Sequence, residues 1–177
     1  LAGGLGDDSL AGGAGADTLV GGAGGNALDG GDNNIALMQL DVAVYQGEDS
    51  ISASFDGDFF VTHDGGDKDT LTGIEGILGG DGDDQVNTAG NTGMVFYFDG
   101  GAGSDTFYGT EHSLSEQSGW DIMAWQTLGS GQAVVVATDA LYSGMGNGGT
   151  AIVDGEEKDA FNAEVDEFWG GAGDDTF

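Results

Sequence analysis

The chain has 177 residues, of which 32 are acidic against two lysines and no arginine, for a formal charge of -30. Nucleic acid and anionic membrane surfaces need clustered basic residues, so neither is expected as a partner, and self-repulsion on this scale opposes compaction unless cations bind. Cysteine is absent, which removes disulfides and thiolate metal sites, and no apolar run approaches the roughly 20 residues of a membrane-spanning helix, so no membrane insertion is expected.

From Gly3 to Asp29 the chain reads GGLGDDSLA, GGAGADTLV, GGAGGNALD, three nine-residue units with the same residue types at the same places. Glycine at the first, second and fourth places opens backbone angles closed to residues with a Cβ, so the chain can turn tightly and aim carbonyls into the turn. The sixth place, Asp8, Asp17 or Asn26, adds a side-chain oxygen. Carbonyl and carboxylate oxygens are what a hard cation such as calcium binds, about six to eight at a time. The last three places suit a short strand whose middle residue, Leu10, Leu19 or Leu28, points to one face while its neighbours point to the other. A turn and a short strand make half a coil, so every second unit stacks about 4.8 Å away, carboxylate over carboxylate. At that spacing two charges repel by about 3 to 4 kcal/mol for an effective dielectric near 20. The expectation is a stack that does not close without a cation.

A fourth unit opens at Gly30 but carries Ile35 at the sixth place, which interrupts the metal ladder, so that its partner Asp17 is expected to bind weakly or not at all. Leu40 to Gly47 follows as an alternating strand pattern opened by Asp41, and Phe55 to Gly65 alternates again. Gly65 to Asn87 holds a shortened unit ending at Asp69 and Leu71, then a complete one from Gly79 with Asp84 and Val86. The next complete unit runs from Gly100 to Tyr108. Its Asp105 lies 21 residues after Asp84, which puts the two on adjacent coils if Met94 to Phe98 is a strand on the opposite side. The second half then retells the first. Asp121 answers Asp41 at an offset of 121 − 41 = 80, Lys158 and Asp159 answer Lys68 and Asp69 at 90, and Asp175 answers Asp84 at 91. An offset that grows marks an insertion, assigned to the glycine-rich stretch Gly144 to Gly149. The segments expected are 1–40 (regular repeats), 41–99 (an irregular module), 100–120 (a repeat and its connection) and 121–177 (a second irregular module).

The pattern G-G-x-G-x-D-x-U-x, with U a large apolar residue, resembles the nonapeptide of RTX proteins, the hemolysin-type calcium-binding repeat. Six units carry it, from Gly3, Gly12, Gly21, Gly79, Gly100 and Gly170. The resemblance implies an all-β chain folded as a right-handed parallel β-roll, a β-solenoid with several calcium ions in its glycine-rich turns. It implies side-chain oxygens from Asp8, Asp17, Asn26, Asp84, Asp105 and Asp175, and from Asp69, Asp121 and Asp159 in shortened units. Turn carbonyls would complete each shell, from Gly3 and Leu5, Gly12 and Ala14, Gly21 and Ala23, Gly79 and Asp81, Gly100 and Ala102, and Gly170 and Ala172. It further implies a fragment of a larger secreted protein that leaves the cell through a type I secretion apparatus and folds on calcium outside it or at its surface, against neighbouring repeats of the same parent chain.

No catalytic constellation accompanies these repeats, so no enzyme is expected. His63 and His112 lack neighbours at zinc-ligand spacing and read as surface or strand residues, and a Ser-His-Asp set drawn from so many acids and serines carries no specificity. The role expected is a structural or adhesive segment. The alternatives are a folding and secretion module of an enzyme whose catalytic domain lies elsewhere, or a carbohydrate- or ice-binding repeat, which a flat exposed row of threonine or tryptophan would support.

Overall fold

The computed structural model describes residues 1–32, 39–47, 50–56, 58–63, 65–88, 95–109, 120–124, 134–138, 149–153, 156–161 and 167–169. These are strands and turns, and no helix occurs among them. One sheet is wholly parallel and holds, in spatial order, β1 (Ala2–Leu5), β3 (Thr18–Ala23), β5 (Val42–Val44), β9 (Gly76–Leu78), β11 (Val95–Asp99), β13 (Trp120–Ala124) and β17 (Glu167–Trp169). The other is mixed. From one edge to the other it runs β2 (Ser9–Ala14), β4 (Ala27–Asp32), β8 (Asp67–Thr72), β7 (Asp58–His63), β6 (Ser52–Asp56), β10 (Gln85–Asn87), β12 (Thr106–Tyr108), β16 (Glu156–Phe161), β15 (Gly149–Val153) and β14 (Val134–Thr138). Neither sheet closes into a barrel.

The chain crosses from one sheet to the other between β1 and β6 after every strand, and β3, β4 and β5 each lie parallel to a strand already in place. Register follows the apolar residue of each unit. Leu10, Leu28 and Leu71 are in line across one sheet, and Leu19, Ala43, Ile77, Phe98 and Met123 across the other. A one-residue slip would turn every one of these side chains to the opposite face, so the alternation itself fixes the pairing. The two inner faces share one core in which Leu19, Ile77, Val86, Phe98 and Phe107 are fully buried.

One expectation changes here. Strands β6, β7 and β8 form an antiparallel meander, and so do β14, β15 and β16, so the second sheet is not made only of stacked parallel strands. Alternation marks a strand but does not distinguish the direction of its neighbour. The meander slots β7 and β6 between β8 and β10, and aromatic rings fill the wider interior. Phe59 meets Phe96 edge-on at 5.2 Å, and Phe107 lies 6.2 Å from Phe96 and 5.6 Å from Phe98. The duplication is visible in the topology, since β13, β14–β15–β16 and β17 repeat the order and pairing of β5, β6–β7–β8 and β9. One residue separates β6 from β7 and ten separate β14 from β15, which is where the offset grows; residues 144–148 lie outside the described residues. Strand pairing also crosses the expected segment boundaries, through β3 and β5, β10 and β12, and β11 and β13.

Burial separates the two kinds of apolar residue. Replacing Phe107 by alanine removes a fully buried ring and is expected to cost about 3 to 5 kcal/mol. Leu5 is 91% exposed, and Leu5→Ala is expected to stay within about 0.5 kcal/mol. Urea unfolding of the folded chain measures both.

Candidate metal centre

Several strands open on one tripeptide, an acid or asparagine, a variable residue and an apolar residue: Asp8-Ser9-Leu10, Asp17-Thr18-Leu19, Asn26-Ala27-Leu28, Asp84-Gln85-Val86, Asp105-Thr106-Phe107. Residues two apart on a strand face the same side, so the acid points the same way as the core residue and is drawn into the edge of the interior. Asp41, Asp69, Asp84, Asp105 and Asp159 are all buried.

What receives them is the backbone of the preceding pass. Asn26 Oδ1 accepts the Asp8 N–H at 3.0 Å, and Asp69 Oδ1 accepts the Asn26 N–H at 2.6 Å. Farther along the same sheet Asp84 Oδ1 accepts from Ile51 at 2.8 Å, Asp105 Oδ1 from Asp84 at 2.9 Å and Asp159 Oδ1 from Asp105 at 2.9 Å. Before the strands of the parallel sheet, Asp41 Oδ1 accepts the Asp17 N–H at 2.6 Å and Glu75 Oε2 the Asp41 N–H at 3.0 Å. The acids thus stack as expected, but through a backbone donor on one oxygen. The other oxygen is a different matter: Oδ2 of Asp8, of Asp41 and of Asp105 is buried with no hydrogen-bond partner.

The glycines explain why those oxygens are crowded by others. A Cβ on Gly3, the first place of its unit, would stand 2.6 Å from Asp8 Oδ2 and 2.6 Å from the Gly21 carbonyl oxygen. On Gly12 it would stand 2.7 Å from the Gly30 carbonyl and 2.9 Å from Asp17 Oδ2, and on Gly79 and Gly100 it would meet Oδ2 of Asp84 and Asp105. Glycine is required there for space. At the second and fourth places it is required for conformation, as at Gly22 and Gly24 with φ of 84° and 110°. Orphaned carboxylate oxygens beside turn carbonyls form a hard, all-oxygen donor set, which fits calcium. Among the described residues no three His, Cys, Asp or Glu side chains converge on one point, so a shell here needs backbone oxygens.

Asp8, Asn26 and Asp69 are brought into one line, and Asp84, Asp105 and Asp159 into another. The reading of Ile35 is corrected. A Cβ on Gly30 would meet Asp41 Oδ2, so Asp41 takes the sixth place of that unit after an insertion and gives Asp17 its partner; Ile35 itself lies outside the described residues. Asp41 and Glu75 are therefore ladder residues that glycine phasing missed and the acid-x-apolar tripeptide marks, in Asp41-Val42-Ala43 and Glu75-Gly76-Ile77. This second line stops at Phe96, which pairs in register with Asp121. Leu5, Ala14 and Ala23 end β1, β2 and β3, while Asp81 and Ala102 are exposed in the turns before β10 and β12. The side chain of Asp121, and all of Gly170, Ala172, Asp175 and His112, lie outside the described residues. His63 is a strand residue, as read, but buried rather than on the surface. Compared with protein-family models and with curated proteins, the chain shows no match.

Burial pushes Asp105 from the ordinary 3.8 up to about 8, against the Asp84 N–H that favours its charged form and with the charges of Asp159 and Asp84 adding to the rise. Burial likewise lifts Asp84 to about 6, against the N–H groups of Gly80 and Ile51. Both values exceed those of the unfolded chain, so the metal-free fold holds protons that the unfolded chain has released. The stability that these two groups contribute is then fullest below about pH 4 and is lost as the pH rises through about 6 and 8. In chelator, the far-ultraviolet β signal is expected to rise as the pH falls from about 8.5 to about 5.5. Asp105→Asn is expected to flatten that dependence, and a signal that falls on acidification would contradict the assignment.

Proposed function

We propose that the chain is a calcium-binding right-handed parallel β-roll of the RTX kind, which folds on calcium after secretion and serves as a structural or adhesive segment of a larger extracellular or surface protein. The observation that carries this reading is the orphaned, buried Oδ2 of Asp8, Asp41 and Asp105, set in glycine turns whose first residue has no room for a side chain. Calcium supplies positive charge and takes up oxygens that have no other donor. The residues of the chain do the rest. Oδ1 of Asp41, Asp69, Asp84, Asp105 and Asp159 fixes the register of successive passes by holding a backbone N–H, and the glycines keep the turn open on the side of Oδ2. Ligands that repel one another without a cation and attract through one couple binding to folding.

The outer face of the ten-stranded sheet favours this over an ice-binding or sugar-binding repeat. One row across it reads Ser9, Ala27, Thr70, Phe60, Ser54, Asn87 and Tyr108, which is neither a threonine ladder nor an aromatic strip.

Far-ultraviolet circular dichroism of the chain after chelation, titrated with calcium and separately with magnesium at equal ionic strength, tests the proposal near neutral pH. A β signal is expected with calcium alone, with a midpoint of about 0.1 to 1 mM, the range of extracellular calcium modules. A chelated chain that already gives the full signal, unchanged by calcium, overturns it.

A further inference from the structure

Beside the buried line of sixth-place residues runs a second, exposed one. Asp7 Oδ1 accepts the N–H of Gly25 at 2.9 Å, and Asp83 Oδ1 accepts that of Ser104 at 2.8 Å. All four residues hold the fifth place of their units. The spans of 18 and 21 residues are those of the sixth-place pairs Asp8–Asn26 and Asp84–Asp105, so the two lines keep step. The repeat pattern leaves the fifth place variable and gives it no role.

The bond fixes more than an N–H. In a trans peptide the C=O points opposite to the N–H, and none of the described peptide bonds is cis. Asp7 is exposed and holds the Gly25 N–H from outside the turn, which sends the Gly24 carbonyl inward, where it accepts Nδ2 of the buried Asn26 at 3.1 Å. The Gly100 turn is built alike. Gly24 and Gly103 hold the fourth place with φ of 110° and 125°, and a Cβ on either would meet the carbonyl of the fourth-place glycine one pass earlier, Gly6 or Gly82. Asp83, exposed like Asp7, holds the Ser104 N–H, so the Gly103 carbonyl is turned toward the sixth-place residue of its own turn, Asp105. That side chain is buried, and its Oδ2 has no hydrogen-bond partner. Asn26 meets its carbonyl with a donor. Ionised Asp105 has only acceptors to offer, and acceptors face each other across a cation.

We infer that Asp83 is a positioning residue for calcium, which from outside the turn aims the Gly103 carbonyl at the ion bound by Asp105 Oδ2. This rests on the calcium reading above and adds to it a residue that touches no ion. In the metal-free fold the bond matters little, because water takes up an exposed N–H that loses its partner. Its value lies in the direction it gives the peptide.

Titrating the far-ultraviolet β signal with calcium, on the full chain and three variants of it, tests this. Asp83→Ala is expected to raise the calcium midpoint about threefold to tenfold, the worth of one hydrogen bond. Asp83→Asn keeps an acceptor oxygen and is expected to stay within about twofold of the wild type. Asp58→Ala removes an exposed charge from the start of β7 and is likewise expected to stay within about twofold. In chelator at about pH 5.5, where protonated carboxylates favour the metal-free fold, Asp83→Ala should give the wild-type signal, which a bond serving the fold itself would not allow. An unchanged midpoint in Asp83→Ala overturns the inference. So does Asp83→Asn or Asp58→Ala shifting as far as Asp83→Ala, since charge alone then acts, and so does an Asp83→Ala that loses the signal in acid. If the wild type gives no signal in acid, the comparison of Asp83→Asn with Asp83→Ala decides. A wild-type chain that does not respond to calcium overturns the calcium reading, and this inference with it.

Discussion

A buried carboxylate that spends one oxygen on a backbone N–H and leaves the other without a donor is the constraint on which this molecule turns. The hydrogen bond contributes about 1.5 to 3 kcal/mol, as bonds to charged acceptors do. Taking the charge out of water costs several kcal/mol per ion, and a neighbouring carboxylate one pass away adds about 3 to 4 kcal/mol of repulsion at an effective dielectric near 20. The ladder therefore specifies register without balancing its own charge. Asp105, pushed up to about 8 with Asp159 and Asp84 beside it, expresses that imbalance as a bound proton. A cation relieves the same imbalance without neutralising the carboxylate.

The glycines and the core follow from placing acids at that edge. If Oδ2 is to stay open to a cation, as in Asp8, Asp41 and Asp105, the backbone beside it must carry no side chain, hence Gly3, Gly30 and Gly100. A unit that spends six of nine places on such a turn has one residue left for the core, and in the regular repeats that residue is leucine. Leu10, Leu19 and Leu28 fill a thin interior. Where the β6–β7–β8 meander widens one sheet, leucine no longer spans the gap, and Phe59, Phe96, Phe98 and Phe107 take over. Phe96 even displaces an acid from its ladder position, at the cost of interrupting the line.

Legibility in the sequence depended on which feature carried the period. The regular units and their strands β1 to β4 could be read because glycine and acid recur together. Asp41 could not be read that way, since it lies eleven residues after Gly30 where Asp17 lies five after Gly12; the turn had lengthened while the acid-x-apolar tripeptide stayed intact. The meander was hidden because a period of two is the same for parallel and antiparallel strands, and the connection at residue 57 between Asp56 and Asp58 is too short to announce itself as a hairpin. The inward position of His63 did have a signal. Phe59, Val61 and His63 alternate along β7 and share its buried face, so a histidine in an otherwise apolar series pointed to an interior partner, and Asp69 is that partner.

The two copies then bear on the order in which the fold closes. Asp8 and Asn26 are 18 residues apart, Asn26 and Asp69 are 43, and Asp105 and Asp159 are 54. Loop-closure entropy grows only with the logarithm of these lengths, by about 0.8 kcal/mol from the first to the second and about 0.2 kcal/mol from the second to the third. An unbalanced buried carboxylate costs several kcal/mol, so charge outweighs chain length.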